Sequence, residues 1–268
     1  MPVDPPGTTS TRDEAEDVRV RPTVLVGLAV VATYAVLITV DDLLPGGGDG
    51  EITDPTLAFL RTHVLPLTII AVLLVVFVRR AGWWAPVWHE TPRQRVPRWW
   101  WAFPAVYLVV IAGNLSQVDW TQAPSYLVVV AAGTLLVGFT EELALRGILL
   151  TGARGSWSEL PAFFLTCLVF GALHTLNLLH GAPLVPTLIQ VAVTSFLGAV
   201  YYAVRRAAGG LWLAIALHFL ADFALYAAGY SDSSNGNPPL WGAMALTLLG
   251  VLSIPLIVSV GRRARQPR

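Results

Sequence analysis

The stretch VVVAAGTLLVGFTEELALRGILL, Val128–Leu150, is apolar on both sides of two adjacent glutamates, Glu141 and Glu142. A helix needs about 20 mainly apolar residues to cross a bilayer. This run reaches that length only with both carboxylates inside it. Ionisable side chains at membrane depth are costly and mark functional sites. The stretch therefore predicts a spanning helix that carries chemistry. Arg146 lies four residues after Glu142, on the same face and in the favourable acid-before-base order. Glu141 points roughly 100° away from Glu142. One glutamate can thus face a pocket while its neighbour is tied to Arg146.

The rest of the chain fits a membrane protein. Of 268 residues, 55% are hydrophobic and 13% charged, against about 25% charged in a soluble domain. Seven further apolar runs join the central one. The eight predicted spans are Thr23–Val40, Leu57–Val78, Trp99–Ala112, Tyr126–Leu150, Leu160–Leu179, Thr187–Val204, Leu211–Tyr226 and Leu240–Val260. The fold class is an all-α polytopic membrane protein, with about eight helices around a cytoplasm-facing polar cavity. Residues 1–22, rich in Pro, Thr and acids, read as a disordered cytoplasmic tail, and 23–268 as the helical domain. The first span follows 22 polar residues and lacks a small-residue cleavage site, so it reads as a membrane helix and not a signal peptide. The run PGGGDG at 45–50 reads as a flexible outer loop.

Arginine sets the predicted orientation, because Lys/Arg-rich loops stay cytoplasmic. There is no Lys, which suggests a bacterium of high GC content. With both termini inside, sixteen of the seventeen Arg fall in inner segments and only Arg61 falls outside. The outer loops hold Asp41, Asp42, Asp49, Glu51, Asp54, Asp119 and Asp232. Trp83, Trp84, Trp88, Trp99, Trp100 and Trp101 read as an interfacial aromatic belt. The formal net charge is zero, so nothing points to a nucleic-acid partner. A single cysteine, Cys167, excludes an intrachain disulfide and a cysteine metal cluster.

Few other ionisable groups lie inside predicted spans. His174 falls on the fifth, and His218 and Asp222 on the seventh. His63 and His180 fall at outer span ends and read as interfacial, and His89 lies in an inner loop. With a rise of about 1.5 Å per residue, the depths of Glu141, His174, His218 and Asp222 overlap. His218 and Asp222 are i and i+4 and share a face, as do Phe170 and His174. Four groups on three helices can therefore meet in one polar pocket. A carboxylate and an imidazole sharing a water make a general-base pair. The same four residues, Glu141, His174, His218 and Asp222, are also candidate ligands for Zn²⁺, which favours His and carboxylate, although the chain has no HExxH signature. The sequence leaves both chemistries open.

EELALR at 141–146, FGALH at 170–174 and HFLAD at 218–222 follow the order of the Glu-Glu-x-x-x-Arg, Phe-x-x-x-His and His-x-x-x-Asn/Asp motifs. On these residues the chain resembles the CAAX protease and bacteriocin-processing family of intramembrane endopeptidases. That family includes Ras-converting prenyl proteases and bacterial Abi-type proteins. The likeness covers about 126–226. It implies eight or so helices around a conical cavity open to the cytoplasm, where a peptide bond of a membrane-associated protein or peptide is hydrolysed. It implies that Glu141 with His174 activates a water, that His218 and residue 222 stabilise the oxyanion, and that Glu142, Arg146 and Phe170 support them. The family often has Asn at the last position. Here it is Asp222, whose ionised carboxylate cannot donate a hydrogen bond. Two other readings use the same pocket: a scaffold or immunity protein that holds a peptide without cutting it, and a proton-coupled carrier.

Overall fold

The computed structural model describes residues 18–40, 52–90, 96–229 and 240–264. Among them there is no strand, only an isolated bridge between His89 and Gly210. Nine helices follow in order: α1 Val24–Thr39, α2 Pro55–Ala81, α3 Trp84–Trp88, α4 Ala102–Leu115, α5 Pro124–Ser156, α6 Glu159–Leu178, α7 Leu184–Ala208, α8 Trp212–Ala227 and α9 Leu240–Ala264. A 3₁₀ turn, Arg98–Trp101, leads into α4. Each of the eight predicted apolar runs is helical. Four of them, α2, α5, α6 and α7, have both the length and the hydropathy to cross a bilayer. The 16-residue α1 and α8 are apolar but shorter. These features mark an integral membrane protein. Of the predicted tail and outer loop, residues 1–17 and 45–50 lie outside the described residues.

The helix ends follow local chemistry. Asp54 caps α2 by accepting from the backbone N–H groups of Thr56 and Leu57, with Pro55 at the first helical position, where no N–H is needed. α2 stops at Gly82, which adopts a left-handed φ of 73°, a conformation glycine takes without a Cβ clash. Arg19 and Val20 donate their backbone N–H groups to the carbonyl of Ala81. Trp83 Nε1 donates to the carbonyl of Val20 at 2.7 Å. The segment before α1 is thereby fastened to the end of α2.

Without a hydrophobic drive between them, membrane helices associate by close packing at small residues. α5 and α8 form one intimate pair and α6 and α7 another. At Gly138 on α5, a Cβ would come 2.9 Å from the backbone nitrogen of Phe219 and 3.3 Å from Cβ of His218. Only glycine lets these two backbones approach so closely. α1 crosses the C-terminal part of α5, where Gly27 faces the backbone of Leu149.

The tryptophan stretch departs from the predicted belt. Trp83 and Trp100 are fully buried and Trp88 nearly so, whereas Trp99 and Trp101 are exposed. Trp88 stacks on Trp212 with ring centroids 4.6 Å apart, and Trp100 packs near Tyr202. Half of the stretch is therefore core that closes one end of the bundle. The arginines read as loop charges are also partly interior. Arg205 is fully buried and Arg206 is 5% exposed. Both reach Glu90, Arg205 through Nε at 2.7 Å and Arg206 through Nε at 3.3 Å. Arg154 reaches Glu90 at 3.0 Å and Glu159 at 2.6 Å. Arg205 also donates to the carbonyls of Pro86, Val87 and Arg146. This network ties the α3 loop to the C-terminal ends of α5 and α7.

Candidate active site

α5 does not run as one α-helix. Directly after Glu142 it widens into a π-type segment, Leu143–Leu149, a feature that recurs at functional sites. All seven residues of that segment are buried. Within it, Arg146 Nη1 donates to Glu142 Oε1 at 2.8 Å, and both side chains are 0% exposed. The Arg146 guanidinium lies 4.1 Å from the centroid of Phe170 and 5.1 Å from that of Tyr201. Two aromatic rings thus face a charge that the bilayer cannot solvate. Gly198 makes the space, since a Cβ there would stand 3.3 Å from Arg146 Nη2.

α8 brings His218 onto the same carboxylate. Its Nδ1 lies 3.0 Å from Glu142 Oε1. Its Nε2 lies 3.4 Å from Asp222 Oδ2 and 3.7 Å from Glu141 Oε2. Only the Nδ1–Glu142 contact has hydrogen-bond geometry, and Asp222 and Glu141 face Nε2 at ion-pair distance. The ring stacks on Tyr201 at 4.6 Å and 15°, and meets Phe170 edge-on at 5.8 Å. Exposure separates the carboxylates. Glu142 is sealed at 0%, whereas the side chains of Glu141 and Asp222 keep 18% and 22%. The accessible acids are therefore the two that face His218 Nε2.

α6 contributes His174, at the point where its α-helix tightens to 3₁₀ geometry. Its Nδ1 is 3.0 Å from the carbonyl of Phe170. A carbonyl requires a donor, so the neutral ring carries its proton on Nδ1 and leaves the Nε2 lone pair for another partner. Phe170 packs edge-on against the ring at 5.3 Å. His218 and Asp222 lie within electrostatic reach of His174. The seven residues singled out by motif, Glu141, Glu142, Arg146, Phe170, His174, His218 and Asp222, thus form one cluster on α5, α6 and α8.

Several members carried no signal in the sequence. Tyr34 of α1, 2% exposed, hydrogen-bonds Glu141 through its hydroxyl. Tyr201 of α7 stacks on His218 and shares a 2.8 Å hydroxyl contact with Tyr107 of α4. A tyrosine inside an apolar helix looks like core until its partner is known. His63 joins a separate group, stacked on Phe59 at 4.1 Å with Tyr226 near its Nε2. His180 is exposed.

The candidate zinc ligands fare differently. Among the described residues no three His, Cys, Asp or Glu side chains come together as a metal-binding group. A zinc ligand offers one nitrogen lone pair and commonly donates its other ring N–H to a carboxylate, so the contacts of His218 with Glu142, Asp222 and Glu141 fit either chemistry.

The comparisons with known proteins bear on this same region. No curated protein and no solved structure matches the chain significantly. Residues 123–224 match the family model described as Type II CAAX prenyl endopeptidase Rce1-like, a range that contains all seven cluster residues. Tyr34, Glu90 and Tyr107 fall outside it. Over residues 123–224 the chain is therefore similar to the Rce1-like type II CAAX prenyl endopeptidase family, in line with the CAAX protease and bacteriocin-processing group.

Proposed function

We propose that this protein is an intramembrane endopeptidase that hydrolyses a peptide bond of a membrane-associated protein or peptide without a metal. One observation carries the reading. Of the two adjacent glutamates, Glu142 is sealed against Arg146 and His218, while Glu141 keeps an accessible carboxylate beside His218 Nε2. Glu141 is the general base, and His174 holds the water with its free ring nitrogen. The water's proton passes to Glu141 as its oxygen attacks the carbonyl carbon. The oxyanion so formed accepts from His218 Nε2–H, a donor fixed in place by Glu142 on the far side of the ring. The protonated Glu141 then gives its proton to the departing amide nitrogen, and the peptide bond breaks. Asp222, 3.4 Å from His218 Nε2, favours the charged ring electrostatically, a role open to Asp although Asp cannot donate to the oxyanion.

The bundle is proposed to cross the membrane eight times with both termini cytoplasmic. The arginine distribution and the helicity of all eight apolar runs support this. The cavity then opens inward, in the cell membrane of a bacterium. The test is cleavage of quenched fluorescent peptides by purified protein, with and without a chelator. Loss of two to four orders of magnitude is expected for Glu141→Gln and for His174→Ala, with no effect of the chelator. Wild-type rates in both variants would reject the reading and leave a peptide-holding scaffold in front. Chelator-sensitive cleavage would reject its metal-free part alone.

A further inference from the structure

We propose that the groove between the 3₁₀ turn before α4 and the C-terminal half of α9 binds an anionic phospholipid, with the headgroup phosphate on Arg262 and Arg263. The groove has a volume of about 660 Å³. Its apolar wall is made by Trp99, Ile254 and Val258, and its far end by Ser259, Arg262 and Arg263. Residues four apart share a helix face. Ile254, Val258 and Arg262 therefore form one row on α9, turning from apolar to cationic over two turns, about 12 Å. Ile254 and Val258 are 65% and 48% exposed, while Leu256 and Val260 on the opposite face are buried in the bundle. The row faces outward by position and not by chance of one rotamer. A groove that is apolar along its length and cationic at one end is the complement of an acyl chain with an anionic head.

Two further observations favour this occupant. Trp99 and Trp101 are the exposed members of the tryptophan stretch, and exposed Trp sits at headgroup level. Among the described residues nearby, arginines outnumber carboxylates. Glu90 and Glu159 are shared among Arg154, Arg205 and Arg206. Partial burial and, beside it, the nearby Arg206 both disfavour the charge of Arg263. An additional anion at this rim relieves that repulsion. Basic recesses between membrane helices on the cytoplasmic side bind acidic headgroups in just this way.

The test is native mass spectrometry of the full-length protein titrated with dioleoyl phosphatidylglycerol or dioleoyl phosphatidylcholine. Wild type is expected to retain phosphatidylglycerol in preference. The Arg262→Gln/Arg263→Gln double variant is expected to lose about thirty-fold in affinity, about five-fold per guanidinium. The Arg262→Lys/Arg263→Lys variant keeps the charge and should keep most of the binding, which separates lost recognition from lost folding. Arg79→Gln/Arg80→Gln removes a basic pair from the end of α2 and should leave the preference intact. Equal retention of the two lipids by wild type, or an equal loss in the α2 pair variant, would overturn the proposal.

Discussion

Arg146→Met tests the buried charge cluster most directly. Methionine keeps much of the apolar stem and removes the guanidinium from beneath Phe170 and Tyr201. Glu142, 0% exposed and 2.8 Å from Arg146, is then left with His218 as its one charged partner at 3.0 Å. Breaking a buried pair by removing one partner costs about 3–5 kcal/mol. The remaining imidazolium places this case near the lower end, about 3 kcal/mol. For a chain of this size each kcal/mol lowers the melting temperature by about 2–4 °C, so a drop of roughly 6–12 °C is expected. Glu142→Gln should cost a similar amount, because it strands Arg146 instead. The double variant Glu142→Gln/Arg146→Met carries neither charge, so its cost should fall below the sum of the singles by about 3 kcal/mol or more. Thermal unfolding in detergent, followed by far-ultraviolet circular dichroism, reads all four proteins. A melting temperature for Arg146→Met within about 2 °C of wild type, or strictly additive costs in the double variant, would refute the reasoning.

Three other outcomes follow from the packing and the ion network. Gly138→Ala pushes a methyl group against the backbone of Phe219 and Ile215. The helices must part by a few tenths of an ångström, which costs about 1–3 kcal/mol. Since a displacement of about 1 Å can cost a hundredfold in rate, cleavage should fall by about tenfold; an unchanged rate would mean the α5–α8 spacing does not set the site. Tyr107→Phe strands the buried hydroxyl of Tyr201 and should cost about 1–3 kcal/mol, whereas Tyr107→Phe/Tyr201→Phe should be close to neutral; unfolding midpoints decide. Burial alone would raise the pKa of Glu90, but the guanidiniums of Arg154, Arg205 and Arg206 outweigh it and hold it at about 2, below the ordinary 4.5. A lowered carboxylate pKa stabilises the fold above pH 4.5, and the stabilisation is lost as pH falls through about 2. The stability gap between wild type and Glu90→Gln should therefore close by about 3 kcal/mol over that window, and a gap independent of pH would contradict the network.

The helices were legible because hydropathy is a property of each run taken alone. The Glu142–Arg146 and His218–Asp222 relations were legible because i and i+4 spacing survives any arrangement of helices. What the pattern hid were relations between helices. Glu142 is held by His218 of α8 as well as by Arg146, and only the close approach at Gly138 makes that contact. Arg205 and Arg206 count toward orientation in the same way whether they are solvated or clasped around Glu90. Trp83 and Trp100 look like belt residues by composition and are core by position. The π-type segment after Glu142 leaves no mark either, because a change of under one residue per turn over seven residues is lost in the apolar background. Tyr34 is the sharpest case. It comes from a helix outside the matched domain, and no motif spans that distance.

The adjacent glutamates are best understood through the one ring between them. A histidine has two nitrogens on opposite edges, and two carboxylates that both contact it must approach from different sides. Neighbouring residues on a helix provide that difference in direction, and residues four apart would not. Glu142 takes Nδ1 in the sealed interior, where Arg146 balances its charge. Glu141 reaches toward Nε2 on the accessible side, with Asp222 from the ring's own helix. Three acidic side chains then surround Arg146 and the imidazole ring. In the proposed cycle Glu141 acts as the carboxylate base when water is activated. Its proton is taken up next to a histidine that stays a donor throughout. Remove Glu142 and the ring loses the partner that keeps Nδ1 protonated; remove Glu141 and the donor remains with nothing to activate. The pair divides one task, and neither member could replace the other from its own side of the ring.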